Sequence, residues 1–130
     1  MPKQADFVPV FAKLKAILEP YAKKCEVLQD TETLYYLNTR YIMKNKQPLC
    51  FAAARTGKAY VSFHLMPVYA SPEMLKTISS ELKRRMQGKA CFNFKTVDDG
   101  LFKELAKLTK AGFARFNDPK FIDSLRKMQR

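Results

Sequence analysis

Histidine, cysteine, glycine and acidic residues are all scarce in this sequence, and each scarcity removes a class of chemistry. The single histidine, His64, supplies neither a metal cluster nor a nucleophile-base pair by itself. Cys25, Cys50 and Cys91 are far apart, odd in number and without a second Cys or His at ligand spacing, unlike a secreted disulfide framework or a zinc site. They read as free structural thiols, with Cys50 and Cys91 inside predicted strands, where a reduced cysteine packs as a small hydrophobe. With 4 Gly in 130 residues there is no glycine-rich phosphate loop and no nucleophile elbow, and no paired-acid or His-Asp-Ser arrangement is present. The sequence therefore assigns no catalytic residue, no metal ligand and no cofactor, and reads as a protein that is not an enzyme.

Long apolar runs are also missing. The longest candidate, residues 49–54, is strand-sized, against the roughly 20 residues needed to span a bilayer, so no membrane partner is expected. Residues 1–6 lack an apolar signal core, which predicts a cytoplasmic location. Acidic residues number 12 against 24 lysines and arginines, a formal charge of +12 that favours phosphates, nucleic acid or acidic protein surfaces as partners.

What is present is a core. At 47% hydrophobic residues and 130 residues in length, residues 1–130 form one domain that needs no metal or disulfide staple. Phe7, Phe11, Leu14 and Leu18 recur at helical spacing, which predicts a helix over residues 6–24 with Asp6 as its N-cap and Pro9 in its first turn. Residues 26–31 read as a polar connection. The period changes to two over residues 33–43, which predicts a strand, and short strands follow over 49–54 and 59–66. The four-residue polar turns between them imply antiparallel pairing, with Pro48 opening the second strand and Gly57 supplying a positive φ in the second turn.

Ser71-Pro72-Glu73 reads as an N-cap, a proline at the first helical position and an acid at the positive end of the macrodipole. Leu75, Ile78, Leu82 and Met86 make the stripe of that helix, Gly88 stops it, and residues 91–94 form a return strand. A further helix starts near residues 96–99 with Leu101, Leu105 and Leu108 as its core line and Gly112 at its end, and Asp118-Pro119 caps a last short helix. The expected fold is two-layer α+β, an antiparallel sheet of about four to five strands with helices on one face, in the order α-β-β-β-α-β-α-α.

Two surface constellations stand out. Tyr60, Ser62 and His64 share the strand face opposite Val61, Phe63 and Leu65, and if helices cover the latter, these residues line an open sheet face or groove that something must hide, such as a dimer mate, another protein or a ligand. Lys83, Arg84, Arg85, Lys89 and Lys95 follow one another with no acid between them, and Lys103, Lys107 and Lys110 fall on one helix face. Together they form a candidate anion-binding patch, extended by Arg126, Lys127 and Arg130.

The segments Lys46-Gln47-Pro48-Leu49-Cys50-Phe51, Tyr60-Val61-Ser62-Phe63-His64-Leu65-Met66-Pro67 and Gln87-Gly88-Lys89, within residues 7–113, resemble the YdhG-like family of small bacterial proteins. The resemblance implies a fold similar to secretion-chaperone-like domains and a chaperone-like binding role. Some relatives have been proposed as frataxin-like iron chaperones, which makes iron an alternative ligand. Hard cations favour clustered carboxylates, and the acids concentrate only at Glu26, Asp30 and Glu32 and at Asp98-Asp99, where helix capping is the competing reading. The sequence thus supports three readings: a binding module acting through an open sheet face, an iron chaperone, or a nucleic-acid or phosphate binder.

Overall fold

The structure, a computed structural model, describes residues 4–128. It is a mixed α+β fold with one antiparallel sheet of six strands, β1 (Glu26–Asp30), β2 (Leu34–Ile42), β3 (Pro48–Thr56), β4 (Val61–Leu65), β5 (Met86–Gln87) and β6 (Cys91–Phe94), in the spatial order β1-β2-β3-β4-β6-β5.

A 3₁₀ turn, Gln4–Phe7, leads into α1, Val8–Leu18, which continues as a second 3₁₀ segment, Glu19–Lys24. The expected single helix is divided because Pro20 has no N–H for the α ladder and its ring crowds the carbonyl one turn back. Asp6 lies in the first 3₁₀ turn instead of at the cap, which is Phe7 and makes no side-chain cap bond. The predicted stripe is otherwise as expected: Phe7, Phe11, Leu14 and Leu18 are all buried.

The segment read as a polar connection is strand β1, Glu26–Asp30, paired with β2, Leu34–Ile42. Every β1 side chain is exposed, so it carries no burial period, and its pairing comes from backbone bonds at the sheet edge. The meander continues through β3, Pro48–Thr56, and β4, Val61–Leu65, with Pro48 opening its strand. The positive φ expected at Gly57 falls instead on Lys46, at 66°. Gly57 serves close approach: its N–H donates to the Tyr60 carbonyl at 2.9 Å, and a Cβ there would lie 3.2 Å from that oxygen.

Between residues 66 and 87 the single predicted helix is replaced by α2, Met66–Ala70, a 3₁₀ segment, Pro72–Thr77, and α3, Ser80–Arg84. Ser71 does not cap; its hydroxyl donates to the Glu73 carboxylate. Ile78 and Ser79 are extended, and Ser79 restarts the helix by accepting the Leu82 N–H at 3.2 Å. Met86 and Gln87 are not a last helical turn but strand β5, which pairs with β6, Cys91–Phe94. Gly88, at φ 76°, turns this hairpin instead of stopping a helix. The sheet therefore has six strands, not four or five, because two short edge strands flank the predicted ones.

Helix α4, Asp99–Phe116, is capped by Asp98, whose Oδ1 accepts the Leu101 N–H at 3.0 Å. Helix α5, Pro119–Met128, starts where Asp118 accepts the Lys120 N–H at 3.0 Å. One sheet face, bearing Leu37, Ala54, Val61, Phe63, Leu65, Phe92 and Phe94, is buried in a single core with Phe7 and Leu14 of α1 and Leu101 and Leu105 of α4. No described helix is long and apolar enough to cross a membrane.

Gly112 lies buried inside α4 and not at its end, where a Cβ would sit 2.8 Å from Pro67 Cβ. At Gly100, in the first turn of the same helix, an added Cβ meets nothing closer than 3.5 Å. The two positions predict opposite outcomes for one chemical change. Gly112→Ala gains ~1 kcal/mol of helix propensity but overpacks against a rigid ring at a cost of about 1–3 kcal/mol, whereas Gly100→Ala keeps a gain of up to ~1 kcal/mol. Urea unfolding of the two variants should shift the midpoint down and up respectively.

Candidate functional site

In an antiparallel sheet, directly opposite residues carry their side chains on the same face. Gln29, Tyr36, Ala53, His64, Cys91 and Gln87 are successive partners across all six strands, and Leu34, Arg55, Ser62 and Asn93 form the adjacent row. Ser62 and His64 alternate with the buried Val61, Phe63 and Leu65, so both rows lie on the face away from the helices. Glu26, Asn38 and Cys50 form a third row on this face, because the register shift after Leu37 leaves Phe51 unpaired and turned into the core.

The polar groups here are joined side by side. Ser62 Oγ donates to Asn93 Oδ1 at 2.8 Å, Asn93 Nδ2 donates to Gln87 Oε1 at 2.8 Å, and the Tyr60 hydroxyl donates to the same Gln87 oxygen at 3.1 Å. Tyr36 is hydrogen-bonded to Cys50, which with burial pushes its phenol up to about 12. Asn38 is buried and its Oδ1 has no partner. Ala53, 7% exposed, lies in register between Tyr36 and His64 as the low point of the central row.

His64 Nδ1 is 3.2 Å from Cys91 Sγ, the separation of a nucleophile and its base. Activation of such a pair needs a lowered thiol pKa and a raised imidazole pKa. Here both shifts run the other way: burial raises the Cys91 thiol and lowers His64. Both shifts favour the neutral forms, a protonated thiol beside a neutral imidazole. It is a hydrogen bond within the face.

Of the predicted constellation, Ser62 and His64 sit side by side along β4, and Tyr60, just before the strand, joins them through Gln87. Tyr60 and Ser62 border a cleft of about 320 Å³ at the β3–β4 turn with Arg55 and Lys58, and His64 lies outside it. Sequence reasoning missed Gln87, Cys91 and Asn93 as members of this face. The alternation of Cys91 and Asn93 with Phe92 and Phe94 carries the signal for two of them.

The basic residues are placed differently. Lys83, Arg84, Arg85, Lys89, Lys95, Lys103, Lys107 and Lys110 are all exposed, and the ion pairs found among the described residues involve none of them. Lys89 leans over the Tyr69 ring, 5.9 Å from its centroid. They do not converge on one pocket: Arg84 and Arg85 border a shallow cleft with Glu81, and Lys107 borders a separate groove beside α4. Arg126 is engaged elsewhere, donating to the Ile42 carbonyl at 3.1 Å and pairing with Asp123 at 3.0 Å, and Arg130 lies outside the described residues.

Two of the acids are used structurally. Asp98 caps α4, and Asp30 pairs with Lys15 at 2.8 Å. Among the described residues no three His, Cys, Asp or Glu side chains are grouped so that they could hold a metal ion. Comparison of the chain with protein-family models, curated proteins and solved structures finds no match.

The burial of His64 has a pH consequence. Its folded-state pKa is lowered from the ordinary 6.5, so the unfolded chain binds the proton more readily. The stability that depends on a neutral His64 is complete above 6.5 and is lost as the pH falls through the lower folded-state pKa. Urea unfolding measured from pH 7 to pH 5 should show declining stability, and His64→Gln should flatten that decline.

Proposed function

We propose that this chain is a non-enzymatic binding module that presents the open face of its sheet to a protein surface. The observation that carries the reading is charge. The rows that cross this face hold two charged residues of opposite sign, Arg55 and Glu26, in a chain with 28% charged residues overall. Depletion of charge together with exposed aromatic groups is the compositional mark of an interface centre. A neutral face is also the approach that costs two molecules of charge +12 the least repulsion, which makes a second copy of this chain the favoured partner. The resemblance to the YdhG-like family agrees with a binding role in the cytoplasm. The iron reading has no ligand set in its support among the described residues.

A second reading, polyanion binding, is favoured by the exposed, unpaired state of the eight basic residues at and just after α3, in the β5–β6 turn, just after β6 and on α4. Such binding would weaken steeply with salt, and neutralising Lys83, Arg84 and Arg85 would reduce that dependence.

The two readings separate by sedimentation. Face-to-face association should tighten as salt screens the repulsion between copies, whereas nucleic-acid binding should loosen. Tyr60→Ala combined with His64→Ala should raise the dimer dissociation constant at least about tenfold, as expected when residues central to an interface are truncated. A chain that stays monomeric at high concentration and high salt, or a double variant that sediments like the wild type, would count against the sheet-face reading.

A further inference from the structure

On the helix layer, away from the open face, the 3₁₀ segment Pro72–Thr77 and the start of α3 stand off from α4 and leave a groove of about 730 Å³. That volume falls within the range of small-molecule sites. Its apolar part is Met74, Ile78, Leu108 and Ala111, and Lys107 stands beside them.

The groove lies where the backbone departs from its local pattern. Leu75, Ile78, Leu82 and Met86 have the spacing of one continuous helix, yet Ile78 and Ser79 are extended. Two interactions hold the break: the Ser79 hydroxyl accepts the Leu82 N–H, and the Ser79 N–H donates to Glu104 Oε2 of α4 at 3.0 Å. A continuous helix would satisfy that N–H internally and would not need Glu104. Departures from local preference that the surroundings fix in place concentrate at functional sites.

Charge then selects the ligand. Glu73 is held by Arg115 at 3.0 Å and by Ser71. Glu104 is committed to the Ser79 amide, which is the chief cause of its lowered pKa, with Lys107 a lesser one. Lys107 makes no ion pair among the described residues, so it is the cation on this rim left to meet an incoming anion. The two carboxylates nearby disfavour an extended polyanion here.

We propose that this groove binds a small amphipathic anion, with a carboxylate or phosphate-ester head at Lys107 and a hydrocarbon body along Met74, Ile78, Leu108 and Ala111. The proposal is independent of the sheet-face reading, because none of these residues belongs to the open face.

The test is an NMR titration of the full chain with decanoate, decyl phosphate and decyltrimethylammonium, each kept below its micellar concentration. The expected result is saturable shifts at Leu108 and Ala111 with one or both anions and none with the cation. The tighter of the two anions distinguishes a fatty-acid from a phospholipid source. Lys107→Gln should weaken anion binding about tenfold, the scale of a lost hydrogen bond to a charged group. Ala111→Phe, at an exposed helix position, should fill the groove and abolish binding without lowering the unfolding midpoint. Absence of saturable shifts with both anions, equal binding of the cation, or unchanged anion affinity in Lys107→Gln would each overturn the proposal.

Discussion

Every second residue of an antiparallel strand faces the same way, and in β4 and β6 that alternation is strict. Val61, Phe63, Leu65, Phe92 and Phe94 are fully or almost fully buried, while Ser62, His64, Cys91 and Asn93 between them are only partly so. Fully burying a side chain of this size is worth about 1.5–3 kcal/mol, and shifting either strand by one residue would reverse all of them together. This one-sided burial holds α1 and α4 on one layer, leaves the other sheet face without a helical cover, and places His64 beside Cys91.

How much could be read in advance followed the same physics. Strands β2 to β4, the α1 stripe and the Asp98 cap were legible because their signals are local: a period, a proline, a side-chain oxygen before an apolar run. Strand β1 was not, since all five of its side chains are exposed and only pairing with β2 distinguishes it from a loop. The misread helix between residues 71 and 86 is more instructive. Its stripe does pack against the core, with Leu82 buried and Leu75, Ile78 and Met86 partly buried, but a broken chain satisfies the same spacing once Ser79 has a tertiary acceptor in Glu104. That acceptor lies 25 positions away and leaves no mark on the local pattern.

The candidate site was partly legible for related reasons. Strand phase placed Ser62 and His64 on the open face. It could not place Cys50, which by plain alternation shares a face with Ala52 and Ala54 and is moved across by the irregularity at Phe51. Gln87 was hidden by the helical reading of its segment, although it accepts hydrogen bonds from both Tyr60 and Asn93. The cysteine reading survives in modified form. Cys25 is buried and its thiol is pushed up to about 11, which suits a packed and unreactive group, whereas Cys50 and Cys91 are hydrogen-bonded members of the polar face.

The polar face and the α4 groove lie on opposite layers, yet a short piece of chain joins them. Ser79 borders the groove and caps α3, a single turn of helix that ends at Arg84. The Arg85 carbonyl then accepts the Asn93 N–H at 2.7 Å, and Gln87 follows as the acceptor shared by Tyr60 and Asn93. One turn of helix is a stiff spacer when both of its ends are tied, at Glu104 on one side and at Asn93 on the other. The break that opens the groove therefore also sets where β5 begins and which residue reaches the open face. A continuous helix through Met86 would close the first feature and remove the second.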